Sequence, residues 1–223
     1  MSRVIVLRPE PAATRTADKA RAAGLNVAVR PLFAPVAVAW TPPALELFDA
    51  LLLTSANGVR LAGKGLARYR TLPAYAVGEA TAQALKEAGF ADVVSGDADG
   101  TAIVRHIIDD GRSRVLHLSG TTVAGLEAGS LHVTRVPVYG MTALPPDPAL
   151  KADAKAGSVL LVHSPRAGER VAGQFPQEAR ASLRIVAISA AAAQACGEGW
   201  GSRTHPARPS DDEMLALARQ LCE

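Results

Sequence analysis

Residues 48–60 read FDALLLTSANGVR, and residues 158–170 read SVLLVHSPRAGER. Each is a short apolar run, a small polar turn and a helix-forming segment. The pairing continues about twenty residues on, where AYAVGEATAQALKEAG (74–89) is answered by IVAISAAAAQACGEG (185–199). The offset is steady, 109 residues from Ser55 to Ser164 and 111 from Val77 to Ile188 and from Gln83 to Gln194. A fainter echo links SRVIVL (2–7) to SRVLHL (113–118). A period of this length exceeds the roughly 20–50 residues of a solenoid unit. It predicts two similar α/β lobes, with a cleft between them where ligands bind.

The rest of the chain fits around this repeat. RVIVLR (3–8) reads as a strand, and the alanine-rich segment after it as a helix closed by Gly24. NVAVRPLFAPVAVAW (26–40) stays extended but holds Pro31 and Pro35, which a central strand does not tolerate. It is expected to leave the first lobe as a connector. FDALLLTS, AYAVG, VVSG (93–96) and RVLHLSG (114–120) read as strands, with helices over NGVRLAGKGLARY (57–69), EATAQALKEA (79–88) and TAIVRHIID (101–109). VTRVPVYGMTALPP (133–146) mirrors the first connector, and two such crossings predict a two-stranded hinge. Strand–helix alternation then resumes with SVLLVHS, PRAGERVAGQF, RIVAIS and AAAAQACGEG. The last helix opens on a capping box, Ser210-Asp-Asp-Glu213. Apolar strands alternating with helices mean parallel sheets covered on both faces. The expected lobes are residues 1–34 plus 142–223 and residues 39–134, with 35–38 and 135–141 as hinge connectors.

Composition narrows the function. Hydrophobic residues make up 48% but aromatics only 4%, so the core must be built of Ala, Val and Leu. The net charge of +3 comes from scattered basic residues, which is not the footprint of a nucleic-acid binder. The two cysteines, Cys196 and Cys222, form neither a CxxC pair nor a disulfide framework. No secretory leader and no apolar run of about 18 residues is read, so a cytosolic protein is expected.

In parallel α/β sheets ligands bind beyond the C-terminal strand ends, at the starts of the following helices. Thr54-Ser55 and Ser164-Pro165 stand there in the two copies. These serines either only cap their helices or also meet an anion, since a helix start offers free N–H groups. Gly78-Glu79 and Ser189-Ala190 form the second repeated junction. His117 and His163 fall at strand ends, where a structural role is the simpler reading. The histidines lack metal-ligand spacing, and no GxGxxG, GxxxxGK[ST] or GxSxG motif occurs. Tyr139, in VPVYGMT, either faces the cleft or packs against the hinge.

FDALLLTSANGVR, AYAVGEATAQALKEAGF, VPVYGMTA and VLLVHSPRAGERV, in this order, resemble the motif series of the uroporphyrinogen-III synthase family across essentially the whole chain. The resemblance implies a cofactor-free cytoplasmic lyase of haem biosynthesis with two α/β lobes joined by a β ladder. Its substrate is hydroxymethylbilane, a linear tetrapyrrole with eight carboxylates, cyclised with inversion of ring D. It further implies a monomer that contacts neither nucleic acid nor membrane, with hydroxymethylbilane synthase as a transient partner. Tyr139 matches the hinge tyrosine, expected to assist departure of the hydroxyl. Thr54, Ser55, Thr81 and Ser164 match polar cleft positions, and Ser189 the junction in the last lobe. Arg8, Asn57, Gly78 and Ser119 complete the expected substrate contacts.

Three departures accompany the resemblance. SGTTVAG (119–125) lacks the arginine of a glycine-rich turn, Ala192 stands opposite Thr81, and His163 replaces a hydroxyl, with Arg166 as a compensating cation. They keep open an alternative, a degenerate two-lobed module that binds a tetrapyrrole or another anion without turnover. A periplasmic-type solute receptor fits the architecture but not the lack of a leader.

Overall fold

In the computed structural model, described for residues 2–96, 100–122 and 125–222, the chain divides into two compact units. One is Met1–Ala34 with Thr142–Glu223, the other Pro35–Met141. The chain begins with β1 (Val4–Val6), α1 (Ala12–Ala22) and β2 (Val27–Val29), and leaves the first unit along β3 (Phe33–Ala37). The second unit holds β4 (Ala50–Leu53), α2 (Ala56–Leu61), β5 (Ala74–Val77), α3 (Glu79–Glu87), β6 (Val93–Gly96), α4 (Gly100–Asp109) and β7 (Arg114–Gly120). The chain returns along β8 (His132–Ala143) to α5 (Pro148–Asp153), β9 (Val159–Val162), α6 (Pro165–Ala172), α7 (Gln177–Arg180), β10 (Arg184–Ala187), α8 (Ala190–Ala195), β11 (Ser202–Thr204) and α9 (Asp211–Cys222).

The first unit's sheet has the order β11-β10-β9-β1-β2, and the second's reads β6-β5-β4-β7-β8-β3. All registered pairs, which join every neighbour except β3, are parallel. The first five strands of each order correspond one to one: β6 with β11, β5 with β10, β4 with β9, β7 with β1, and β8 with β2. The two units are therefore circular permutations of one sheet. The faint echo between SRVIVL and SRVLHL is the correspondence of β1 and β7, which pairs Val6 with His117 and Arg8 with Ser119.

Alternation along the strands covers both faces. In the second unit Leu51, Leu53, Leu116 and Leu118 join the cluster that also contains Val59, Ala82 and Leu85 of α2 and α3. Ala50, Leu52 and Val115 point the other way, into the cluster with Ile103, Val104 and Ile107 of α4. Each fully buried leucine contributes roughly 1.5–3 kcal/mol, so an uninterrupted ALLL belongs at the centre of a sheet. In the first unit Val4, Val6, Val159 and Leu161 pack with alanines of α1 and with Met214 and Leu215 of α9.

Four local features differ from the sequence reading. The helix expected over 57–69 stops at Leu61, Gly63 takes φ +65°, and Gly63–Tyr69 continues as a 3₁₀ helix. The segments expected as connectors are β3 and β8, neighbours at the edge of the second unit's sheet. β8 tolerates Pro137 because a bulge sits there: Ser119 pairs with Pro137 but Gly120 with Tyr139, which leaves Val138 as the extra residue. Only half of the capping box forms: Glu213 N donates to Ser210 Oγ at 3.5 Å, while the Glu213 carboxylate accepts from Arg208 N.

Candidate functional site

The order in which the second unit adds strands reverses between β4 and β7, the place where a doubly wound sheet opens a crevice at its strand ends. A groove of about 560 Å³ lies there, and its described lining residues all belong to this unit. Thr54 and Ser55 follow β4, Val77 ends β5, His117 lies in β7, Tyr139 in β8, and Gly100 and Thr101 open α4. Thr122, Leu126 and Glu127 come from the connection between β7 and β8.

The permutation explains the opening. In the first unit α1 connects β1 to β2 and covers Val6, which is fully buried. In the second unit the described residues between β7 and β8 form no helix. At the position matching Val6 stands His117, only 2% exposed yet part of the groove wall. Its Nε2 is 3.4 Å from Thr54 Oγ1. Burial first, then the charge of Arg135 across the strand pair, lowers its pKa from 6.5 to about 4. The imidazole is thus neutral near pH 7, with one N–H to donate and one lone pair to accept.

Tyr139 reaches the groove because of the bulge, which sets it opposite Gly120. No hydrogen-bond partner of its hydroxyl is found among the described residues. Ser55 is both groove wall and N-cap: its Oγ accepts from Asn57 N at 3.2 Å and keeps its own O–H to donate. Arg135 props the turn behind, its Nε donating to Ser119 Oγ at 3.0 Å and its Nη2 to Gly120 O at 2.9 Å and Thr121 O at 3.1 Å.

Of the eleven residues expected from sequence, Thr54, Ser55 and Tyr139 meet in this groove. Gly78 (φ +81°) caps α3 beside Val77, and Asn57 lies in the first turn of α2. Thr81 is 4% exposed on the inner face of α3, and Ser119, 1% exposed, is tied to Arg135. Neither lines the groove. The other four belong to the first unit. Arg8 Nη1 donates to both Asp211 oxygens at 2.8 Å and to Thr16 Oγ1 at 3.2 Å. Thr16 and His163 complete the contacts of Asp211, at 2.6 and 3.1 Å, while His163 Nδ1 is buried without a partner among the described residues. Ser164 and Ser189 cap α6 and α8, accepting from Ala167 N at 3.2 Å and Ala192 N at 3.3 Å. Arg166 is stacked over Phe33, 4.6 Å from the ring centre. Of the expected turn SGTTVAG, Val123 and Ala124 lie outside the described residues. Thr101, Thr122 and Glu127 were not foreseen: Thr101 opens α4 without a motif, and Thr122 and Glu127 come from a connection whose described residues form no helix.

Fold and groove define an α/β protein of two doubly wound units with a crevice at the strand ends of one of them. A model of the family described as uroporphyrinogen-III synthase HemD matches residues 14–216. The chain belongs to the uroporphyrinogen-III synthase family, lyase-type cyclising enzymes of tetrapyrrole and haem biosynthesis. The fold is similar to the crystal structure of uroporphyrinogen-III synthetase from Helicobacter pylori 26695, at TM-score 0.67 and 21% identity, over 99% of this chain and 100% of that one. A mutant uroporphyrinogen III synthase from the extremely thermophilic bacterium Thermus thermophilus is 20% identical over 99% of this chain and 98% of that one, at TM-score 0.49. No curated protein matches the sequence. Among the described residues no helix is long and apolar enough to cross a membrane.

Proposed function

We propose that the chain converts hydroxymethylbilane to uroporphyrinogen III and water, inverting ring D as the macrocycle closes. What carries the reading is the coincidence of a family match over 14–216 with a groove in which Tyr139, Thr54 and Ser55 converge. The terminal hydroxyl leaves as water, taking one proton, while the pyrrole nitrogen's electron pair forms the azafulvene. Tyr139 Oη supports that departure as a hydrogen-bond donor; a phenol is a weak acid at neutral pH, so its contribution is modest. The substituted α-carbon of ring D then attacks the new methylene carbon and gives a spiro intermediate. The bond from that α-carbon to its original bridge breaks, and the bridge rejoins at the other α-carbon of ring D. That carbon loses its proton, which balances the proton taken by the hydroxyl. Holding ring D so that its substituted carbon reacts first is a matter of proximity and orientation.

In this reading residues 1–34 plus 142–223 and residues 39–134 are two α/β lobes, with 35–38 and 135–141 as their connectors. Arg8, Asn57, Gly78, Ser164, Arg166 and Ser189 are proposed as further polar contacts for the substrate's carboxylates, whereas Thr81 and Ser119 are buried away from the groove. The enzyme is expected to act as a cytoplasmic monomer without a cofactor, with hydroxymethylbilane synthase as a transient contact. The test is an assay on hydroxymethylbilane that resolves the type I and type III isomers. Type III product supports the proposal; type I product alone, as in spontaneous closure, rejects it in favour of a binding module.

A further inference from the structure

The second unit's groove has a charge pattern opposite to that of an anion grip. Among its described lining residues there is no lysine or arginine, and the only charged side chain is the carboxylate of Glu127. The imidazole of His117 is kept neutral by burial and by Arg135. Arg135 itself spends three donor contacts on Ser119, Gly120 and Thr121. The rest of the polar wall is hydroxyl: Thr54, Ser55, Thr101, Thr122 and Tyr139. His117 replaces what is a fully buried core valine, Val6, in the matching strand of the first unit. Placing a polar ring at such a position costs stability unless a partner meets it, and its hydrogen-bond contact among the described residues, to Thr54, is long at 3.4 Å.

We infer that this groove receives the cationic end of the reacting tetrapyrrole, with Glu127 as a further catalytic residue that stabilises the azafulvenium formed when the terminal hydroxyl departs. The inference rests on the cyclisation reading above. When the C–O bond breaks, the hydroxyl takes a proton away as water and the ring is left cationic at its N–H. A carboxylate and an imidazole lone pair at that place act on charge that develops in the transition state. In the ground state the effect reverses, because Glu127 repels a substrate that carries eight carboxylates. An interaction stronger in the transition state than in the bound substrate raises kcat rather than affinity.

This opposition gives the test. Steady-state kinetics on hydroxymethylbilane, with isomer analysis, are measured for the full chain and for Glu127→Gln. The inference expects kcat for type III to fall roughly tenfold, less than the ~10²–10³ lost with a buried transition-state donor, since Glu127 is exposed. KM stays equal or falls, and the type I share rises as spontaneous closure competes. Glu127→Asp recovers part of kcat, which a structural role would not require. Unchanged kcat, or a raised KM with unchanged kcat, overturns the inference while type III formation by the wild-type chain keeps the cyclisation reading. A wild-type chain that forms type I alone overturns both.

Discussion

Tyr139 and Gly120 face each other across the β-bulge so closely that a β-carbon on residue 120 would stand 3.0 Å from Tyr139 Cζ and 3.1 Å from its Oη. The position of the phenol in the groove thus depends on what residue 120 lacks. Gly120→Ala makes the ring give way by a few tenths of an ångström, and since misplacement by about 1 Å can lower a rate roughly 100-fold, a loss of several-fold is expected. Tyr139→Phe keeps the ring and removes only the hydroxyl, so it should slow type III formation more modestly while leaving the fold intact. Isomer-resolved rates of the two variants, beside their thermal midpoints, separate the two effects. A Gly120→Ala chain as active as the wild type would mean that the ring's position is immaterial.

In the first unit the corresponding strand-end position is filled by an ionic cluster. Burial alone would raise the pKa of Asp211, but hydrogen bonds from His163 and Thr16 and the charge of Arg8 hold it well below the usual carboxylate range. Its stabilisation is present above that range and is lost as the pH falls below about 4 toward the folded value. Asp211→Ala leaves Arg8 and His163 without this partner and should destabilise the chain by about 2 kcal/mol, less than the ~3–5 of a fully buried pair. Urea unfolding at pH 7 measures it. A loss below a few tenths of a kcal/mol would make the cluster an ordinary surface contact.

The sheets were legible because their cause is local: FDALLLTS and SVLLVHS can only be central strands, and their separation requires two units. Even the weak SRVIVL echo was structural, since β1 and β7 hold the same place in the two sheets. β11 and α5 escaped because three to six residues without periodicity carry no signal. Strand ends and motif pointed to Thr54, Ser55 and Tyr139, which line the groove. Thr81 was expected in the site, but Ala84 and Leu85, three and four residues on, are buried on the same helix face. Glu127 carries no motif, and its place in the groove wall comes from a connection between β7 and β8 whose described residues form no helix.

His117 is a polar ring where packing wants an aliphatic one, and that fixes the sign of a pH effect. Its pKa is about 4 in the fold and 6.5 in an ordinary environment. Between these values the unfolded chain binds a proton that the folded chain does not, so stability falls as the pH goes down through this window. The contribution is fully present above pH 6.5. At ~1.4 kcal/mol per pH unit, going from pH 7 to pH 5 should remove about 2 kcal/mol on account of this residue. Carboxylates also begin to titrate near pH 5, so the comparison needs a variant without the imidazole. His117→Gln should lose less stability than the wild type between the two pH values, by about that amount, in paired urea titrations. Equal losses in both chains would show that His117 takes up its proton in the folded state, and the groove would then carry a positive charge below pH 6.5.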